Sequence, residues 1–105
     1  MVLSNTAFAI TYPQAFWGAN TNYVNALGVK DYPNIIRYGE EIVNLMKTLP
    51  DSPEKRDIIV TRLNEVGAAY AELGQYEKSA VAYGELLKYG DTPDNKYDDY
   101  TKGAK

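Results

Sequence analysis

Two stretches of this chain echo one another at helical spacing, and that echo limits the possible folds more than any other feature. Asp31-Tyr32 and Gln75-Tyr76 stand 44 residues apart, and each opens a run whose apolar residues recur three or four apart. A Tyr-Gly-Glu follows in each, Tyr38-Gly39-Glu40 and Tyr83-Gly84-Glu85. Upstream, Phe16, Ala19 and Tyr23 have the spacing of Leu63, Val66 and Tyr70, but at an offset of 47. The mismatch predicts a turn about three residues longer after Tyr23 than after Tyr70. It also predicts that these two tyrosines are equivalent, each buried between the helices of its own hairpin. A single helical hairpin cannot cover its apolar face, whereas stacked copies can.

The periodicity predicts four helices, roughly 13–28, 32–49, 53–73 and 76–89. Phe16, Ala19, Tyr23 and Leu27 mark the buried stripe of the first; Ile35, Ile36, Gly39, Ile42, Val43 and Met46 belong to the second. Ile59, Leu63, Val66, Tyr70 and Leu73 mark the third, and Tyr76, Ala80, Tyr83 and Leu86 or Leu87 the fourth. Ser52 has N-cap chemistry, with Pro53 placed where a missing N–H costs nothing and Glu54 at the positive helix end. Pro13 and Pro33 suit first turns. The short turn around Gly74 makes its two helices antiparallel neighbours. Asp94, Tyr97 and Tyr100 suggest a short fifth helix near the end of the chain, and no strand pattern competes.

At 105 residues, 45% of them hydrophobic, the chain has enough for one modest all-α domain. The expected organisation over 1–105 is hairpin 1 at about 13–49, hairpin 2 at about 53–89 and a partial capping or third-repeat helix at about 94–105, as a single domain or a fragment. A formal charge of -3 argues against a nucleic-acid footprint. Without cysteine or histidine there are no thiolate metal sites and no imidazole general base. Asp91, Asp94, Asp98 and Asp99 miss the calcium-loop spacing, and neither a phosphate loop nor a hydrolase elbow is present. The expectation is therefore no enzyme, no cofactor and no bound metal. No apolar run approaches the roughly 20 residues that span a bilayer, so membrane insertion is not expected. Cytoplasmic and exported settings both stay open, because a signal can lie upstream.

The run Val66-Gly67-Ala68-Ala69-Tyr70, with Gly74-Gln75-Tyr76 and then Ser79-Ala80, Tyr83 and Leu86, resembles the tetratricopeptide repeat. Ser79 stands where alanine is usual, and no proline directly follows the last helix. The earlier copy matches weakly, with Asn20, Lys30 and Ile35 at the places of two glycines and an alanine. The resemblance implies antiparallel hairpins stacked as a short right-handed α-solenoid, with Gly67 at a tight helix contact, Gly74 in the turn, and Tyr70, Tyr76 and Tyr83 between helices.

It also implies a ligand groove lined by the first helix of each hairpin: Gln14, Trp17, Thr21 and Val24, then Thr61, Asn64, Ala68 and Ala71. Trp17 has two further readings, core packing beside Phe16 and contact with a neighbouring repeat. The basic and asparagine clamp that grips a peptide carboxylate in the family is missing, since Asn64 and Ala68 occupy its places. Of the ten tyrosines, most have structural places in the repeat. The implied function is a non-catalytic protein- or peptide-binding scaffold whose partner is a protein, a peptide or adjacent repeats. The alternative is an architectural or self-associating segment of a larger multi-repeat protein, without a separate ligand. A monomer or weak homodimer is expected, and if the chain is a fragment the face beside Tyr76, Tyr83 and Leu87 should be partly uncovered.

Overall fold

A computed structural model describes residues 11–89. They form four α-helices: α1 (Gln14–Val29), α2 (Tyr32–Lys47), α3 (Pro53–Glu72) and α4 (Tyr76–Tyr89). Among the described residues there is no strand. The helix expected near Asp94 lies outside them.

Local chemistry sets the helix ends. The Asp31 side chain accepts from the Asn34 N–H, and Ser52 Oγ accepts from the Lys55 N–H at 3.0 Å, so both N-caps satisfy a donor that the helix leaves open. Pro33 and Pro53 sit in first turns, whereas Pro13 lies one residue outside α1, as its N-cap. α2 stops two residues before the predicted end because Thr48 and Leu49 donate to the carbonyls of Leu45 and Met46, a tightened final turn.

The two hairpin turns have the same backbone. Lys30 N–H donates to Leu27 O and Asp31 N–H to Ala26 O; 44 residues on, Gly74 N–H donates to Ala71 O and Gln75 N–H to Tyr70 O. Lys30 (φ 56°) and Gly74 (φ 76°) are the left-handed residues that close these turns. The offset is thus 44 throughout, and the expected longer turn after Tyr23 is absent. In this register Tyr23 corresponds to Gly67, and Gly39 to Tyr83. The repeated Tyr-Gly-Glu is out of step by one residue: Gly39 is buried, whereas Gly84 is exposed with open space around it.

Packing explains the exchange. A Cβ built on Gly39 would lie 2.5 Å from Val66 Cγ2 and 3.0 Å from Tyr23 Cε1, and one on Gly67 would lie 2.9 Å from two ring carbons of Tyr83. Each hairpin therefore has one ring-bearing helix and one glycine-bearing helix, with the two roles swapped between hairpins. Tyr23 is almost wholly buried, but Tyr70 is only half-buried, which corrects the expected equivalence of the pair. On α4 the buried stripe is Ser79, Ala82, Tyr83 and Leu86, while Tyr76 and Ala80, expected inside, are exposed. Ser79 can face α3 because its hydroxyl donates to Gly67 O at 2.8 Å, which removes the penalty of a buried polar group. Leu87 is half-buried.

Helices contact in sequence, α1 on α2, α2 on α3 and α3 on α4, and no Cα pair from any other two helices comes within 8 Å. α1 and α4 therefore do not close a four-helix bundle. The core runs along the stack through Phe16, Tyr23, Ile42, Met46, Ile59, Leu63 and Leu86.

Candidate interaction surface

The charged side chains are distributed unevenly. α1 carries none, and the first in the whole chain is Lys30. Arg37, Glu40, Glu41 and Lys47 lie on α2; Glu54, Lys55, Arg56, Asp57, Arg62, Glu65 and Glu72 on α3; Glu77, Lys78, Glu85 and Lys88 on α4. α1 nevertheless has a broad exposed face, because only Phe16, Ala19, Tyr23 and Ala26 are buried.

All four candidate groove residues of α1, Gln14, Trp17, Thr21 and Val24, lie on that exposed face. Their spacing of three, four and three sets them on one stripe of the helix. Trp17 is 57% exposed and Val24 55%, so Trp17 is not a core residue. The Trp17 ring meets Phe16 and Tyr12 edge-on, with centroids 5.0 and 5.2 Å away, which holds the indole at the rim of the core. On α3, Ala68 is exposed and Thr61, Asn64 and Ala71 are half-buried. The 44-residue register pairs Trp17 with Thr61 and Val24 with Ala68, but it pairs Asn64 and Ala71 with Asn20 and Leu27 rather than with Thr21 or Gln14. Asn64 Oδ1 is buried without a hydrogen-bond partner.

Sequence reasoning missed a set of cross-hairpin bonds. Tyr12 donates to Glu54, Tyr23 to Glu65 and Tyr70 to Glu40, the last at 2.7 Å. Each joins the first hairpin to the second, as does the ion pair of Lys47 on α2 with Glu85 on α4. Arg62 completes the α1–α3 seam: its guanidinium lies 4.9 Å from the centroid of the Tyr23 ring and 3.7 Å from Glu65. The Tyr12 hydroxyl pKa is pushed up to about 12 by its bond to Glu54, aided by burial. Burial first, then the bond to Glu40, raises Tyr70 to about 12. Tyr23 is raised further, by burial and then by Glu65. These phenols therefore remain donors far above neutral pH and act as cross-links between helices.

On the opposite side of α3 from Thr61 and Ala68, a furrow of about 410 Å³ runs between α2 and α4. Val66 and Tyr70 form its floor, with Glu40 and Lys47 on one wall and Lys78, Val81 and Glu85 on the other. Two acidic and two basic side chains line it: Lys47 meets Glu85, Glu40 accepts from Tyr70, and Lys78 Nζ lies 6.0 Å from the centroid of the Tyr70 ring.

Among the described residues no group of three or more acidic, cysteine or histidine side chains could hold a metal ion, and no helix is long and apolar enough to cross a membrane. Compared with protein-family models, curated proteins and solved structures, the chain matches none.

Proposed function

We propose that this chain is a non-catalytic protein- or peptide-binding scaffold module, built as a short right-handed solenoid of tetratricopeptide type. The observation that carries this reading is the open sequential packing of two like hairpins, which leaves an uncharged, partly apolar surface on α1, the first helix of the first hairpin. Trp17 supplies the kind of side chain that dominates binding energetics, a large rigid ring with one N–H donor. With no cation among the eight groove residues, the fitting ligand is a neutral or apolar peptide segment rather than a carboxylate terminus.

The absence of a charged anchor also favours a second reading, a purely architectural segment. A displayed library of peptides screened against the whole chain separates the two. The binding reading expects neutral peptides whose affinity falls in Trp17→Ala and in Asn64→Leu while both variants stay folded. A library without a single binder leaves the architectural reading.

A further inference from the structure

We propose that the α1 stripe Trp17, Thr21, Val24 and Gly28 packs antiparallel against the same stripe of a second copy, which makes the chain a weak twofold dimer. This deepens the interaction-surface reading by naming the partner for the α1 half of that surface. The four residues are spaced four, three and four, one continuous ridge on a helix about 24 Å long, and all are exposed. Gly28 has open space around its Cα, with nothing that an added Cβ would touch within 4 Å.

Charge selects the second copy. At a twofold contact each residue near the axis meets its own kind, so any charge there opposes a like charge. Three of the four helices carry several charged side chains on their exposed faces; α1 carries none. It is the one described helix with no charged side chain to set against its own copy in any register, and the acidic chain as a whole otherwise repels its copy.

Shape points the same way. Run antiparallel, with the axis between Asn22 and Tyr23 along the helix, the stripe interleaves: Trp17 lies opposite Gly28 of the second copy, and Thr21 opposite its Val24. The largest side chain meets the smallest, as interdigitated packing requires, and the two mid-sized ones meet each other. One helix pair of this length falls at the small end of specific interfaces, so the association is weak and concentration-dependent.

Trp17 is the only tryptophan and cysteine is absent, so both give clean probes of this face in the whole chain. Sedimentation and tryptophan emission are followed from micromolar to millimolar concentration. The proposal expects dimerisation with a matching blue shift and loss of quenching, and it expects Thr21→Glu to weaken association about tenfold or more without loss of helix content. Mixing Thr21→Cys with Val24→Cys under oxidation should give the mixed disulfide in excess of either symmetric one, with Glu41→Cys on the exposed side of α2 cross-linking poorly.

A monomer with exposed Trp17 at every concentration overturns the proposal and shows that some other partner covers the face. A monomer with Trp17 shielded throughout also overturns it, in favour of cover by residues 1–10. A dimer unaffected by Thr21→Glu places the contact elsewhere and overturns it as well. Peptide binding that survives any of these results leaves the scaffold reading standing, whereas a dimer without any peptide binder leaves only self-association.

Discussion

Gly67 on α3 lies against the ring of Tyr83 on α4, so close that a methyl group at the glycine would sit 2.9 Å from two ring carbons. Ser79, one turn before Tyr83, reinforces this contact by donating to the carbonyl of the same glycine. The α3–α4 spacing is therefore set by one missing side chain. Gly67→Ala should lower stability by about 1–3 kcal/mol, because the buried ring has to shift to admit even a methyl. Gly84→Ala is the control: that position is exposed and unobstructed, so the gain in helix propensity should stabilise by about 0.5–1 kcal/mol. Urea denaturation of the pair measures the contrast, and equal midpoints would contradict the contact.

The two turns differ in one residue at the left-handed position, Lys30 in the first and Gly74 in the second. Lys30→Gly should stabilise by about 0.5–1 kcal/mol, since glycine adopts positive φ without the Cβ penalty. Gly74→Lys should cost about 1–2 kcal/mol for the same reason. Thermal melts of both variants should move in opposite directions; shifts of the same sign would mean that the turns are not equivalent.

Stability should fall in alkali. Tyr12 and Tyr70 titrate near 12 in the folded chain against 10.0 when unperturbed, and Tyr23 is raised higher. The raised folded value means that above pH of about 10 the unfolded chain loses phenolic protons which the folded chain keeps, so the slope of stability against pH is negative there. The contribution is fully present below about 10 and disappears as pH climbs through the folded values. Lys47, raised by its bond to Glu85, adds to it with the same sign. Denaturant midpoints measured against pH should drop over this window, and Tyr23→Phe should flatten the drop. A flat profile would mean that the tyrosine–glutamate bonds are not maintained in solution.

Removing the Tyr23 hydroxyl should cost about 0.5–1.5 kcal/mol at neutral pH, the net value of one such bond. Glu65 stays beside Arg62 in that variant, so no carboxylate is stranded without a cation. A double-mutant cycle of Tyr23→Phe with Glu65→Ala, which removes the acceptor, should return a coupling of similar size, and additive effects would show that the bond contributes nothing.

The helices were legible in the sequence because everything that makes them is local. Ser52-Pro53 capping, the Asp31 cap before Pro33, the Gly74 turn and the apolar period of three to four all lie within a turn or two of the residues they govern. The order of packing along the stack follows from the short connections. What sequence spacing could not decide was register, since Phe16-Ala19-Tyr23 matches α3 at either 44 or 47 on apolar pattern alone, and only the turn hydrogen bonds distinguish them. The fate of each large ring was equally non-local: Tyr23 is buried and Trp17 exposed on the same helix, according to which neighbour packs on which face. The tyrosine–glutamate partners lie 42, 42 and 30 residues apart, so no local pattern announces them. Local hydrogen bonding and periodicity set the helices from the sequence itself, whereas the exchange of glycine and tyrosine between hairpins, and the uncharged face that α1 leaves open, were settled only when the helices packed.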